Sequence, residues 1–291
     1  MLSQDAPASR NYRGRVAPTP TGLLHLGHAR TFWTAFERSR GGTLIYREED
    51  LDKGRCKAEF ALAAVEDLRW LGIKWVEGPD MGGSFGPYRQ SERGDIYREV
   101  FERLRESGAI YPCHCSRQDV LRSLSAPHVG DEEPVYPGTC RPGRDNRGTA
   151  KAPGSAARPC WRYRIPDGEE IRFDDSGFGP QCFLAGRDFG DFVVWTRDDI
   201  PSYQLAVVAD DALMRVTEVV RGADLLLSAA RQILLYRALG WNAPAFHHCP
   251  LVTDATGARL AKRHDALSLR QLRLGGATPE QVRETARGPA S

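Results

Sequence analysis

The stretch that most restricts what this chain can fold into is Arg15 to Arg30, Arg-Val-Ala-Pro-Thr-Pro-Thr-Gly-Leu-Leu-His-Leu-Gly-His-Ala-Arg. Residues 15–17 read as the end of a short buried strand. Pro18 and Pro20 forbid its continuation, because proline donates no ladder hydrogen bond, and Gly22 allows a sharp reversal into a helix. His25 and His28 then fall three residues apart at the predicted helix start. That spacing puts both imidazoles on one face of the first turn, beside backbone N–H groups that lack carbonyl partners and form a natural phosphate site. Gly27 between them leaves room for a flat group against the backbone. Two histidines at a helix start are by themselves more often a solvated cap; the strand, proline-broken turn and helix together favour a nucleotide site.

The following residues extend the pattern. Apolar spacing predicts a helix over 26–40, with Ala29, Phe32, Trp33 and Phe36 on one side and Gly41-Gly42 at its end, then a strand over 43–47. Strand, helix and strand at this spacing is a parallel βαβ unit, so the fold class is α/β with a Rossmann-type doubly wound sheet and ligands beyond the strands' carboxyl ends. Glu48, Glu49, Asp50 and Asp52 sit at that edge, either as a solvated loop or with one carboxylate opposing a substrate ammonium. Helices over 58–71 (Leu62, Val65, Leu68 and Leu71 inward) and from 89 (Ile96, Val100, Phe101 and Leu104 inward) read as scaffold. A strand over 191–196, a helix capped by Ser202, a strand over 215–220, a helix over 228–239 and a strand over 246–252 continue the sheet. Tyr203 is a core aromatic or a cleft wall, and Arg221 arrives at a strand's ligand end. A basic loop, Ala258-Arg-Leu-Ala-Lys-Arg263, follows.

Residues 112–190 differ: proline, glycine and broken charge patterns dominate. They carry Cys113-His114-Cys115 and, further on, Tyr136-Pro-Gly-Thr-Cys140. Three cysteines in a region with little core predict a zinc site that supplies ordering energy, with unliganded thiols as the alternative; His114 and His128 are chemically usual fourth ligands. Cys56, Cys160, Cys182 and Cys249 read as buried small hydrophobes. The organisation is thus residues 1–111 as the first half of a nucleotide-binding domain, 112–190 as an inserted zinc-bearing α+β module, 191–265 as the second half, and 266–291 as a short helical tail. A net charge of +2 gives no overall basic field, so any RNA contact rests on local patches. A polar start and the lack of any bilayer-spanning apolar run predict a cytoplasmic protein with no membrane partner. Seven cysteines in that compartment argue against a disulfide framework.

Over roughly residues 12–265 these motifs resemble the class I aminoacyl-tRNA synthetases of the glutamyl/glutaminyl branch. Arg15 to Gly22 with His25-Leu-Gly-His28 resembles the ATP signature, and Glu49 occupies the functional glutamate position of the acidic motif. Ala258 to Arg263 is similar to a degenerate Lys-Met-Ser-Lys-Ser signature, with Ala261 for serine but positive charge kept at Arg259, Lys262 and Arg263. The resemblance implies ATP, accompanied by Mg2+, at His25, Gly27, His28, Arg259 and Lys262, with His25, His28 and Lys262 as catalytic residues. It implies L-glutamate at Arg15, Val16, Ala17, Pro18, Thr19, Glu49, Tyr203 and Arg221, and Zn2+ at Cys113, Cys115, Tyr136 and Cys140. The short tail after Arg263 leaves no room for the family's anticodon-binding domain. That favours a shortened branch that transfers activated glutamate to the queuosine base in the anticodon stem-loop of tRNA(Asp). A truncated synthetase charging a tRNA 3′ end, a small-molecule nucleotidyltransferase and a non-catalytic RNA-binding relic are the other readings.

Overall fold

The computed structural model describes residues 12–116, 135–143, 158–252 and 268–287. β1 (Arg13–Val16), α1 (Leu26–Arg38) and β2 (Thr43–Tyr46) form the expected unit, the two strands pairing in parallel from Arg13 against Thr43 to Val16 against Tyr46. Ser39 caps the end of α1, and Gly41, at φ 85°, reverses the chain into β2 in a conformation that suits glycine. α2 (Ala58–Trp70), a 3-10 turn (Gln90–Glu92), α3 (Gly94–Glu106), β3 (Ile110–Cys113) and β4 (Cys160–Tyr163) follow. Then come the hairpin β5 (Glu170–Asp175) and β6 (Gly179–Leu184), β7 (Phe192–Trp195), α4 (Tyr203–Leu213) and β8 (Glu218–Gly222). α5 (Leu226–Ala238), β9 (Ala245–Cys249), α6 (Leu269–Leu274) and α7 (Pro279–Arg287) complete the described chain. No helix among the described residues is long and apolar enough to cross a membrane.

The parallel core is assembled from two ladders rather than one uninterrupted sheet. β8 and β9 pair in parallel, and β5 of the antiparallel hairpin joins the outer side of β9 at Asp175, giving the order β6-β5-β9-β8. β8 lies beside β1, linked by the Thr217 amide on the Arg13 carbonyl at 2.8 Å. Further along, the Val220 carbonyl accepts from the Arg15 guanidinium at 2.8 Å, so a side chain stands where a strand amide would continue the ladder. The strand expected over 215–220 starts later because Arg215, at φ 56°, sits in a turn. β3, β4 and β7 form a separate antiparallel sheet.

Alternation along the strands builds two cores, one on each face. Ile45, Val219 and Phe246 pack with Tyr97, Val100, Phe101 and Leu104 of α3, with Leu205 and Val208 of α4, and with Ile233 and Leu234 of α5. Leu44, Tyr46, Val220 and Cys249 pack with Leu26, Ala29, Phe32 and Ala35 of α1, Ala64 and Leu68 of α2, and Val282 and Ala286 of α7. The α/β class is as expected, but the expected partition is corrected: β7, expected to continue the parallel sheet, pairs instead with β4 beside β3, and the β5–β6 hairpin, expected in the inserted module, joins β9 through Asp175; two helical stripes are also displaced. α2 buries Ala61, Ala63, Ala64, Asp67 and Leu68, and Leu62 is 67% exposed: its neighbours pack close enough that small residues fill the interface. In α3, Tyr97 takes the inward place expected of Ile96, because its hydroxyl finds an acceptor at Asp210, 3.0 Å away.

That acceptor belongs to a buried charge network that ties α4 to β2 and α3. Arg47, directly after β2, contacts Asp211 at 2.6 Å, Glu49 at 2.9 Å and Asp210 at 3.6 Å, and all these groups are buried. Asp210 also accepts from Arg93 Nε at 2.7 Å and Gln90 Nε2 at 2.8 Å. Buried ions hold their charge only when opposed and hydrogen-bonded. Asp210→Ala is therefore expected to lower unfolding stability by about 3–5 kcal/mol in a urea titration, since Arg93 and Arg47 lose a buried counter-charge. Arg55→Ala, which breaks an exposed, solvent-screened pair with Asp52, should leave it nearly unchanged.

Candidate functional site

At the carboxyl ends of β1, β2 and β8 lies a cavity of about 630 Å³ whose wall includes Arg15, His25, His28, Glu49, Tyr203 and Arg221. β1 and β2 run side by side into it, the Arg47 amide donating to the Val16 carbonyl and the Glu49 amide to the Pro18 carbonyl. Ala17, Pro18, Thr19 and Gly27 also line the cavity. Val16, fully buried, points its side chain into the core beneath.

Arg15 and Arg221 line this wall, Arg47 and Arg93 are buried in the charge network behind it, and the four charges are not equally opposed. Arg15 Nε lies 3.4 Å from Asp211, Arg47 is held by Glu49, Asp210 and Asp211, and Arg93 is held by Asp210. Arg221, 4% exposed, makes no ion pair among the described residues. Its Nε donates to His248 Nε2 at 3.0 Å and its Nη1 to Gln232 Oε1 at 2.8 Å, while Nη2 has no hydrogen-bond partner among the described residues. Because arginine only donates, His248 Nε2 must be unprotonated and the ring proton sits on Nδ1, 2.6 Å from Asp175 Oδ2. Burial, reinforced by Arg221, pushes the His248 pKa down to about 4 against the pull of Asp175. Arg221 is thus a buried cation at a cavity wall whose two resolved acceptors are neutral, an arrangement that calls for an anion from outside. Opposite in sign, Glu49 is buried, and desolvation raises its pKa despite Arg47 and Arg15.

The histidines occupy the helix start as expected. His25 is the N-cap of α1: its Nδ1 accepts from the Gly27 amide at 3.1 Å, and its own amide donates to His28 Nδ1 at 3.1 Å. With Nδ1 accepting in both rings, the neutral imidazoles carry their protons on Nε2. The space above Gly27 is filled from within the protein. A Cβ there would meet His25 Cε1 at 2.9 Å, so the glycine accommodates the histidine ring. Arg259, Lys262 and Arg263 lie outside the described residues. The described residues flanking them, Val252 and Ser268, both line the cavity, and Ser268 forms a β-bridge with His25.

The cysteines also converge. The sulfurs of Cys113, Cys115 and Cys140 lie within 4.8 Å of one another, a spacing that suits a metal ion. The Tyr136 hydroxyl is 3.4 Å from Cys113 Sγ and 3.8 Å from Cys115 Sγ, and accepts from the Cys140 amide at 2.8 Å. His114 is not part of the cluster, and His128 lies outside the described residues. Cys160, opposite Cys113 in the antiparallel sheet, and Cys249 are buried as expected. Cys182 is instead exposed, because it alternates outward on the edge strand β6, and Cys56 is half-buried in a loop.

Reading the chain residue by residue missed Arg47, Asp210, Asp211, Asp175, Gln232 and His248. The one signal available was polar residues inside otherwise apolar elements, such as Asp210-Asp211 at the end of Leu-Ala-Val-Val-Ala.

Residues 11–287 match the family described as tRNA synthetases class I (E and Q), catalytic domain. The glutamyl-Q tRNA(Asp) synthetase of Symbiobacterium thermophilum is 52% identical over 273 residues, which make up 92% of this chain and 83% of that protein. The protein of the same name from Nitratidesulfovibrio vulgaris is 48% identical over 266 residues, 91% of this chain and 82% of that one. Among solved structures, the glutamate-tRNA synthetase of Elizabethkingia anophelis superposes with a TM-score of 0.74 at 30% identity. That match covers 87% of this chain and 53% of the other, so this chain spans about half the length of that synthetase. The chain belongs to the class I tRNA synthetases of the E and Q branch, a family of ligases, and it is their catalytic domain that carries the cavity described above.

Proposed function

We propose that the protein activates L-glutamate with ATP and transfers the glutamyl group to the queuosine base in the anticodon of tRNA(Asp). The observation that carries the reading is Arg221, a buried cation at the cavity wall with neutral acceptors on two nitrogens and an unpartnered Nη2. Glutamate offers what the wall lacks: a carboxylate for Arg221 and an ammonium for Glu49, which would offset the desolvation that now disfavours the Glu49 anion. Arg15, Thr19 and Tyr203, with the backbone of Val16, Ala17 and Pro18, complete the glutamate pocket in this reading. The two relatives named for glutamyl-Q transfer match along more than four-fifths of their length, which favours queuosine over a tRNA 3′ end as acceptor.

The activation step is an in-line attack of the α-carboxylate on the α-phosphorus of ATP. The α–β phosphoanhydride breaks, and pyrophosphate leaves with the bond's electron pair. In the second step a nucleophile on the modified base displaces AMP from the glutamyl carbonyl. The protein's part is positioning and charge stabilisation. His25 and His28 donate Nε2–H to phosphate oxygens at the start of α1, and Gly27 keeps the His25 ring seated. Lys262, with Arg259 and Arg263, supplies positive charge to the triphosphate in this reading, on the ground of their likeness to the family's second signature. Mg2+ bound with ATP would supply further neutralisation of phosphate charge. Cys113, Cys115 and Cys140, with the Tyr136 oxygen beside them, would hold Zn2+, which would supply structural cross-linking of the turn around 136–140 to the end of β3.

Two outcomes are expected. ATP–pyrophosphate exchange should require glutamate and proceed without tRNA, and labelled glutamate should enter tRNA(Asp) only when it carries queuosine; labelling independent of the modified base would overturn the acceptor assignment. Purified protein should contain roughly one zinc per chain, and Cys140→Ser should lose it together with part of the thermal stability. Equal metal content in both proteins would remove zinc from the account.

A further inference from the structure

Arg221 is held by a set of buried groups that never reach the cavity themselves. Its Nε–H points at His248 Nε2, His248 Nδ1–H points at Asp175, and both side chains of that second pair are fully buried. Asp175 is fixed in turn by the amides of Gly177 and Phe178 at 2.9 Å and of His248 at 3.1 Å. The fit is tight, because a Cβ on Gly177 would meet the His248 carbonyl at 2.1 Å. On the other side, Arg221 Nη1 meets Gln232 Oε1, the Gln232 amide donates to Gln204 Oε1 at 3.0 Å, and Gln204 donates to Ser228 Oγ at 3.1 Å. The chain of donors leaves each tautomer and amide orientation only one consistent choice.

We propose that His248, with Asp175 behind it, and Gln232 form a neutral clamp that aims Arg221 into the cavity and leaves its charge uncompensated, thereby setting a preference for a carboxylate over a carboxamide ligand. The clamp residues are positioning and specificity residues; they touch Arg221, not substrate. Their neutrality is the functional feature. A carboxylate in either place would orient the guanidinium equally well but would oppose its charge before any ligand arrived, as Asp210 and Asp211 do for Arg47. The depressed His248 pKa fits this duty: an imidazolium would turn a second donor toward Arg221. In its substrate term the proposal rests on the glutamate reading above, with Arg221 taking the side-chain carboxylate, since glutamine shares the α-carboxylate.

The test pairs Gln232→Glu with His248→Leu and His248→Gln, whose amide oxygen can replace Nε2 as acceptor. In glutamate-dependent and glutamine-dependent ATP–pyrophosphate exchange, Gln232→Glu should lower the glutamate-to-glutamine ratio of kcat/KM about tenfold or more, the change expected from cancelling one buried charge. His248→Leu should raise the glutamate KM about tenfold, the size of a lost charge-assisted hydrogen bond, with the ATP KM kept, and His248→Gln should recover most of the loss. Nitrogen NMR of the free enzyme supplies a readout that needs no substrate. The Arg221 Nε–H should exchange slowly in wild type and His248→Gln and rapidly in His248→Leu. Folded variants with an unchanged selectivity ratio, or an Arg221 Nε–H equally protected in His248→Leu, would overturn the clamp. Absence of glutamate-dependent exchange in wild type with the NMR pattern intact would instead refute the glutamate reading and the selectivity claim, while the orientation of Arg221 would stand.

Discussion

The structure depends on how four buried guanidinium groups are balanced. Arg15, Arg47 and Arg93 meet Glu49, Asp210 and Asp211, so the space between the two halves of the sheet is electrically closed. Arg221 is not closed in this way. Burying a cation without a counter-charge costs several kcal/mol of desolvation, and two neutral acceptors return only part of it. A fold carries such a cost where a ligand's charge completes the arrangement. The closed network has a second role: it locks α4 and the loop after β2 together, and these carry Tyr203 and Glu49 to the cavity wall.

Much of this was legible in the residues, and the limits have physical causes. Prolines at 18 and 20 and the apolar stripe of α1 fix the first βαβ unit locally, and His25 caps α1 through contacts within three residues. Arg221 and Tyr203 were found through family resemblance, and both line the cavity. What escaped were pairings between residues far apart in the chain: Arg47 with Asp211 is separated by 164 positions and His248 with Asp175 by 73. No local pattern marks such partners, since a histidine in Ala-Phe-His-His-Cys alternates like any strand residue. Leu62 shows a different limit. A 3.6-residue stripe says that a helix has an apolar side, but small residues at Ala61 and Ala64 let α2 dock on a neighbouring stripe. Gly27 shows a third: a vacancy beside a backbone is visible in sequence, whereas its occupant, the His25 ring, is not.

The cysteine cluster and the cavity belong to different parts of the fold. β3, β4 and β7 make their own antiparallel sheet, and the sulfurs gather at its edge, where Arg162 Nε reaches Cys113 Sγ at 3.3 Å and its guanidinium lies 3.8 Å over the Tyr136 ring. The β5–β6 hairpin, although it lies in the same stretch of sequence, instead joins the parallel sheet and supplies Asp175 behind His248. Residues 112–190 are therefore split between two sheets, and their support of the cavity, through Asp175, does not involve the cysteines.

The most direct test of the central claim, that an uncompensated Arg221 is the receptor for the ligand's carboxylate, is a calorimetric titration of wild type and Arg221→Leu with glutamate and, separately, with ATP. The account predicts that the variant loses glutamate affinity by about a hundredfold or more, as expected when a buried charge-assisted contact is removed, and keeps its ATP affinity. Glutamate binding by the variant at wild-type strength would contradict it.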